Sequence, residues 1–140
     1  MADQATVMVV DDSSEWRLQL RALLEVIPGF RIVADAGDGL EAIAKAADLR
    51  PDILLMDIGL PRMNGIEAAE VVRIASPGTR IVFVTQEQDE DIRMAALATG
   101  AEGYVVKSKA ASELVMIMDS ALQNAMHSDQ TPSRRALTVS

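Results

Sequence analysis

The stretch from residue 53 to residue 65 constrains the fold more than any other part of the chain. Its apolar run Ile53-Leu-Leu-Met56 leads directly into the carboxylate of Asp57, and the turn residues Pro61 and Asn64-Gly65 soon follow. A short apolar run that is closed by turn residues predicts a fully buried strand. Such strands belong to parallel sheets covered on both faces. Asp57 is therefore expected at the carboxyl end of an interior strand, the edge at which open α/β sheets bind ligands.

Asp57 allows two interpretations when this stretch is taken alone. A carboxylate at a sheet edge can take part in binding or catalysis. An Asp that ends a strand also commonly accepts hydrogen bonds from nearby backbone amides, with no further role. Only the rest of the chain can decide between the two.

Size and composition favour one soluble domain. The 140 residues leave room for a single proper core, and the hydrophobic fraction of 49% is ordinary for a soluble protein. No apolar run reaches the roughly 18 residues that a membrane span needs. The first residues lack a basic segment leading into an apolar one, so we expect no secretory signal and a cytoplasmic location. The absence of cysteine excludes disulfides and thiolate metal sites.

The charge balance bears on the choice of partners. The net charge is −8, and nucleic-acid backbones need cationic neutralisation, so direct nucleic-acid binding is not expected. The pair Arg134-Arg135 is too small a basic patch to hold a duplex at physiological salt. An acidic protein of this kind suits a divalent cation or a basic partner. We expect no membrane contact.

Five apolar, β-branched runs alternate with five segments of helical periodicity. The predicted strands are Thr6–Val10, Arg31–Ala36, Ile53–Met56, Arg80–Val84 and Glu102–Val106. The predicted helices run from Ser13 or Ser14 to before Pro28, from Asp38 to about Leu49, from about Asn64 to Ala75, through the Ala-rich stretch ending near Ala98, and from about Ala110 to Met126. This alternation predicts an α/β protein with a parallel sheet and helices on both faces.

Two local features complete the predicted organisation. Asp38 with Glu41 is typical of a capping box at the start of the second helix. Residues 1–127 form the predicted domain, and the polar residues 128–140 are expected to be a flexible C-terminal tail.

Polar residues stand at the carboxyl ends of four predicted strands: Asp11, Asp12, Asp57, Thr85 and Lys107. Right-handed crossovers bring those ends to one edge of the sheet, so these residues should converge. Each has an ordinary explanation by itself, because Asp pairs cap helices, Thr satisfies backbone groups and Lys is usually solvated. Their coincidence favours a functional site.

The chemistry of this set points to phosphoryl transfer. Like charges about 4 Å apart repel by about 4 kcal/mol at an effective dielectric of about 20, so three clustered carboxylates call for a cation. All-oxygen ligation suits Mg²⁺, which expects phosphate as a further ligand. An Asp carboxylate can attack phosphorus and form an acyl phosphate. Lys107 and Thr85 would supply the ammonium and hydroxyl donors that the phosphoryl oxygens need.

The single tryptophan, Trp16, lies one helical turn beyond the acidic pair. Core packing is its ordinary explanation, and a position at the border of the site is the alternative.

Taken together, these motifs resemble the receiver domain of bacterial two-component response regulators. The resemblance covers roughly residues 5 to 125, and its details are most similar to receivers that usually precede a LuxR-type DNA-binding domain. The matching segments are Val-Val-Asp11-Asp12, Asp35-Ala-Gly-Asp38-Gly39, Met56-Asp57-Ile-Gly-Leu-Pro61 through Asn64-Gly65, Val84-Thr85 and Gly103-Tyr104-Val-Val-Lys107.

The resemblance implies a flavodoxin-like, doubly wound fold in three α/β/α layers, with strand order 2-1-3-4-5. Asp57 would accept a phosphoryl group from a histidine kinase or phosphotransfer protein. Asp12 and Asp57 would ligate Mg²⁺ directly, Asp11 mainly through water, and the Gly59 carbonyl would complete the protein ligands. Lys107 would pair with the phosphoryl oxygens. Such a chain assists only its own phosphorylation and dephosphorylation and is not otherwise an enzyme.

The resemblance also implies a switch. Thr85 would move to hydrogen-bond the phosphoryl group, and Tyr104 would follow inward, changing a surface for a downstream protein partner or a second copy of the chain. Two positions depart from the family pattern. Ser108 stands where many receivers have Pro, so a cis peptide is not expected. Gln86 replaces a small residue and bears on the lifetime of the phosphorylated form.

Other functions remain as alternatives. A protein with the receiver fold can bind partners without phosphorylation, and the chain can also be a receiver fragment of a LuxR-type transcriptional regulator. A Mg²⁺-dependent phosphohydrolase usually has a second Asp two residues after the nucleophile, where this chain has Gly59. A flavin-binding protein would need a hydroxyl- and glycine-rich phosphate loop after the first strand, which the sequence lacks.

Overall fold

A five-stranded parallel sheet lies at the centre of the protein, whose residues 4–130 are described by a computed structural model. Its strands are β1 (Ala5–Val10), β2 (Phe30–Ala36), β3 (Ile53–Met56), β4 (Arg80–Thr85) and β5 (Gly103–Val106). The helices are α1 (Ser14–Glu25), α2 (Gly39–Leu49), α3 (Gly65–Ala75), α4 (Glu90–Ala98) and α5 (Ala110–Gln130), with a single 3-10 turn at Lys107–Lys109. The strand order β2-β1-β3-β4-β5 confirms the predicted flavodoxin-like fold.

The sheet carries a hydrophobic core on each face. Strand β3 shows this best, because Leu54 and Met56 pack toward the side of α2, α3 and α4, whereas Ile53 and Leu55 pack toward α1 and α5. All four side chains are at most 1% exposed. The prediction of a fully buried interior strand is thus confirmed, and Asp57 begins the loop directly after it. Among the described residues, no helix combines the length and apolar character that spanning a membrane requires.

The observed helices match the predicted ones in number and order and differ in where they end. Helix α1 ends at Glu25, before Pro28 is reached, and its N-cap is Ser13. Helix α5 continues to Gln130, past the expected end at Met126 and into the segment predicted as tail. Residues 131–140 of that segment lie outside the described residues.

The capping box lies at a different helix from the one predicted. At α2, the Asp38 carboxylate accepts the Glu41 N–H at 2.8 Å, but the Glu41 carboxylate accepts the N–H of Gly37 instead of that of Asp38. The reciprocal pair forms at α3, between Asn64 and Glu67. The spacing of Asp38 and Glu41 correctly predicted the N-cap of α2. It wrongly predicted the reciprocal bond, because the chain before α2 turns the N–H of Gly37 toward the Glu41 carboxylate.

Gly65 brings the start of α3 against the backbone of the Asp57 loop. A Cβ atom at this position would overlap the carbonyl oxygen of Asp57. The Gly65 N–H donates to the Ile58 carbonyl at 2.8 Å, which closes the loop. The loop that carries Asp57 is therefore fixed by a backbone contact that only glycine permits.

Substituting Gly65→Ala should lower the free energy of unfolding by about 1–3 kcal/mol, because the added methyl group forces backbone atoms apart. Gly78→Ala is the matched control, since no atom lies within 4 Å of its added Cβ; its effect should stay within about 0.5 kcal/mol. Urea unfolding of the two variants and the unsubstituted protein measures the difference. Equal losses in both variants would contradict the proposed contact.

Candidate functional site

The predicted site residues converge at the carboxyl edge of the sheet. Asp11 and Asp12 follow β1, Asp57 follows β3, Thr85 ends β4 and Lys107 follows β5. These strands are neighbours in the sheet, and all five residues line one cavity of about 380 Å³. Further residues on its wall include Ser13, Ile58, Gly59, Gln86 and Glu87. The predicted convergence is confirmed.

Three carboxylates share this cavity. Asp11, Asp12 and Asp57 each offer an oxygen, and these oxygens lie within 4.8 Å of one another. Asp11 is 1% and Asp57 8% exposed, whereas Asp12 faces solvent. A hard divalent cation with water in its remaining positions fits such an oxygen-only donor set. The residues present therefore fit Mg²⁺, with the exposed Asp12 on the side from which a hydrated ion would enter.

Lys107 places a positively charged side chain on the wall of this cavity. Its Nζ lies 2.7 Å from Asp11 Oδ2 and 3.2 Å from Asp57 Oδ2. Burial by itself would lower the pKa of Lys107, but the contacts with Asp11 and Asp57 outweigh that effect and raise it. Lys107 is therefore a fixed positive charge between the two buried carboxylates.

For Asp11, burial affects the pKa more than the contact with Lys107 does. Removal from water raises the pKa of Asp11, and the negative charge of Asp57 raises it further. The contact with Lys107 and the Ser13 N–H, which donates to Asp11 Oδ1 at 2.9 Å, oppose this rise without cancelling it. The folded protein thus holds the ionised form of Asp11 at a cost.

The two oxygens of the Asp57 carboxylate have different partners. Its Oδ1 accepts the N–H of Ile58 at 2.7 Å, which is the local backbone contact expected of an Asp that ends a strand. Its Oδ2 accepts a hydrogen bond from Lys107 at 3.2 Å. The backbone bond orients the carboxylate, and Oδ2 faces the charged groups of the cavity.

Thr85 and Tyr104 meet through the backbone of Glu87. The Thr85 hydroxyl accepts the Glu87 N–H at 3.3 Å, and the Tyr104 hydroxyl donates to the Glu87 carbonyl at 2.7 Å. Tyr104 does not line the cavity; it lies half-buried beside Phe83, with ring centroids 6.5 Å apart. Sequence reasoning missed Glu87, because a backbone link in a polar loop leaves no pattern in side-chain types.

Two residues of α1 also support the site. The Trp16 ring lies 5.1 Å from Lys107 Nζ, so Trp16 borders the site from outside the cavity. Arg17 was missed by sequence reasoning; its guanidinium donates to the Asp11 carbonyl at 2.5 Å and lies 3.9 Å from the Asp35 carboxylate. Its place one turn after the helix cap is the signal that could have found it.

The peptide bonds of the described residues are trans, as expected with Ser108 after Lys107.

Comparison with known proteins finds relatives that cover most of the chain. Residues 7–119 match the sequence profile of the response regulator receiver domain. The chain is 40% identical over 103 residues to a protein-glutamate methylesterase/protein-glutamine glutaminase of Thermotoga maritima, covering 72% of this chain and 30% of that protein. It is 31% identical over 124 residues to the nitrate/nitrite response regulator NarL of Escherichia coli, covering 89% of this chain and 57% of NarL.

A solved structure extends the comparison to the fold. A LuxR-family two-component response regulator from Aurantimonas sp. SI85-9A1 superposes with a TM-score of 0.82 at 37% identity, covering 87% of each chain. The chain spans only 30% and 57% of the lengths of the two curated relatives named above.

Asp11→Asn should raise the free energy of unfolding at pH 7 without divalent cations, because the asparagine side chain carries no charge to be buried. Because the pKa of Asp11 is raised, its protonation stabilises the fold below the ordinary value of 3.8, and this contribution is lost as pH rises through the folded pKa. The advantage of the variant should therefore shrink as pH falls from 7 through the folded pKa of Asp11 to its ordinary value of 3.8. Urea unfolding across this range measures it, with the exposed Asp48→Asn as control. A less stable Asp11→Asn protein at pH 7 would contradict this account.

Proposed function

The chain belongs to the response regulator receiver domain family, and on that basis we propose that Asp57 accepts a phosphoryl group from a histidine kinase or phosphotransfer protein. The observation that carries this proposal is the position of the Asp57 carboxylate, 3.2 Å from the Lys107 ammonium and beside two further carboxylates. A nucleophile, a fixed cation and a cation-binding acidic pair thus share one cavity. The receiver would act on itself and not on a separate substrate.

The transfer step follows from this arrangement. An oxygen of Asp57 forms a bond to phosphorus while the bond between phosphorus and the donor's imidazole nitrogen breaks, and the electron pair stays on that nitrogen, which takes a proton. Ile58 holds Asp57 Oδ1 through its N–H and so fixes the direction of the carboxylate. Lys107 moves its hydrogen bond from the carboxylate to a phosphoryl oxygen, where negative charge develops.

Mg²⁺ fits the acidic cluster as the cofactor. Asp12 and Asp57 would hold it directly, Asp11 mainly through water, and the Gly59 carbonyl, on the same cavity wall, would complete the protein ligands. When bound, the ion neutralises charge on the phosphoryl oxygens. Without a cation, the carboxylates of the cluster repel an incoming phosphoryl group.

The link through Glu87 supports a conformational switch. In this structure the Thr85 hydroxyl accepts the Glu87 N–H, and the Tyr104 hydroxyl donates to the carbonyl of the same residue. When the Thr85 hydroxyl turns to donate to a phosphoryl oxygen, the Glu87 backbone loses its anchor and the Tyr104 hydroxyl loses a fixed acceptor. The output surface would then be the region of α4 and β5, presented to a downstream protein or a second copy.

Helix α4 is suited to such a change. Of its nine residues, Ala96 is the one that is fully buried, with Ile92 and Leu97 partly buried. A helix that buries little side-chain area is cheap to shift, because few apolar contacts are lost. Phosphorylation needs to bias this helix by only a few kcal/mol.

Asp57 should carry the phosphate when the protein is incubated with acetyl phosphate and Mg²⁺. Intact mass spectrometry should show a single added phosphoryl group that disappears in Asp57→Asn and after chelation of Mg²⁺. Asp48→Asn, an exposed carboxylate outside the cavity, should take up phosphate as the unsubstituted protein does. An adduct of unchanged level in Asp57→Asn would refute the assignment. Absence of labelling in every protein would favour the phosphorylation-independent adaptor.

The switch should appear in amide NMR spectra recorded with and without a beryllofluoride mimic of the phosphoryl group. Large shifts should extend from the Asp57 loop through Glu87 and residues 88–106 in the unsubstituted protein. In Thr85→Ala they should remain near Asp57, and Thr85→Ser, which keeps the hydroxyl, should restore them. Shifts confined to the Asp57 loop in the unsubstituted protein would show that the switch model is wrong.

A further inference from the structure

Trp16 lies against the outer side of Lys107, away from the acidic cavity. The Lys107 ammonium stands over the indole ring, 5.1 Å from its centroid, a distance at which an aromatic face attracts a cation. We propose that Trp16 is a positioning residue, which holds the Lys107 ammonium at the acceptor site through this cation–π contact. The inference rests on the proposed function, because Lys107 matters at this place for its contact with the phosphoryl group.

The inner contacts of Lys107 are both with carboxylates. Asp11 and Asp57 take the inner side of the ammonium at 2.7 and 3.2 Å, and 12% of the lysine side chain remains exposed. An ammonium has three donors in rotatable geometry. On the outer side, the indole face attracts the charge without offering a further anion that would draw Lys107 away from Asp57.

The first turn of α1 fixes Trp16 in register with the site. The Ser13 N–H donates to Asp11 Oδ1 at 2.9 Å, and the Ser13 hydroxyl accepts the Trp16 N–H at 3.1 Å. One N-cap residue therefore ties down Asp11 on the inner side of Lys107 and Trp16 on its outer side. The ring also packs against the apolar cluster that lies between the sheet and helices α1 and α5.

The character of the contact suits a lysine that must change partner. When Asp57 becomes phosphorylated, the ammonium has to turn from a carboxylate oxygen to a phosphoryl oxygen. A hydrogen bond is directional and is lost in such a move, whereas the attraction of a ring face is broad and tolerates a small displacement. Trp16 thus restricts where the Lys107 ammonium can lie without fixing it to Asp11.

Core packing alone is the competing explanation, and ring electronics separate the two. Packing depends on the shape of the indole, whereas a cation–π contact depends on the electron density of its face. The chain has one tryptophan, so biosynthetic fluorination alters position 16 alone. The indole N–H is buried and donates to no group among the described residues, so a change in its acidity disturbs no described hydrogen bond.

The experiment uses the full chain made with tryptophan, 5-fluorotryptophan, a difluorinated and a tetrafluorinated analogue. Initial rates of phosphorylation by acetyl phosphate and Mg²⁺, followed by intact mass, should fall stepwise with fluorine number, reaching a loss of about three- to tenfold. Thermal unfolding of each protein shows that the fold is kept. Equal rates across the series would overturn the proposal and leave Trp16 with a packing role.

A second measurement needs no phosphorylation. The ¹⁹F resonance of the 5-fluorotryptophan protein should shift strongly in Lys107→Met, which keeps the length of the side chain and removes its charge. It should shift little in Lys109→Met, which removes an exposed charge nearby. Equal shifts in both variants would overturn the contact. If the unsubstituted protein takes up no phosphate, the proposed function fails, and this measurement still decides whether Trp16 holds Lys107.

Discussion

Three carboxylates crowded against one ammonium at the edge of the sheet are the constraint on which the site depends. Charges of one sign separated by 4 to 5 Å repel by about 3–4 kcal/mol at an effective dielectric of about 20. Lys107 offsets part of this repulsion by contacting both Asp11 and Asp57, and the pKa of Asp11 still lies above its ordinary value because of burial. Stability is thus given up locally to hold these carboxylates together, a cost that the proposed Mg²⁺ would reduce.

The fold provides the rigidity that such crowding needs. Strand β3 is buried on both faces, and the loop after it is held by the contact of Gly65 with the Asp57 backbone. The Asp57 N–H donates to the Val10 carbonyl at 3.0 Å, so the loop also remains in register with β1. Backbone bonds to neighbouring strands therefore place the carboxylates, and their side chains have little freedom to move apart.

Patterns of residue type predicted the parallel α/β architecture and the convergence of Asp11, Asp57 and Lys107, whereas the strand order was implied by the resemblance to receiver domains. Apolar runs identify strands, and a polar residue at each carboxyl end falls at one edge by topology alone. The sequence did not predict the link through Glu87 or the role of Arg17, because these depend on backbone groups and on the rotamer of a long side chain. The capping box was misplaced for the same reason: Asp38 and Asn64 both precede a Glu at the required spacing, and only the path of the preceding chain distinguishes them.

The two sides of Lys107 show how a charged site can be both fixed and responsive. Its inner contacts are strong and directional, and the one with Asp57 uses a carboxylate oxygen that the proposed phosphorylation would alter. Its outer contact with Trp16 is weaker and has no charge of its own. A lysine held only by Asp11 and Asp57 would lose much of its restraint when Asp57 changes. The contacts with Trp16 and Asp11 do not involve Asp57, so both would hold the ammonium near the site during the proposed transfer.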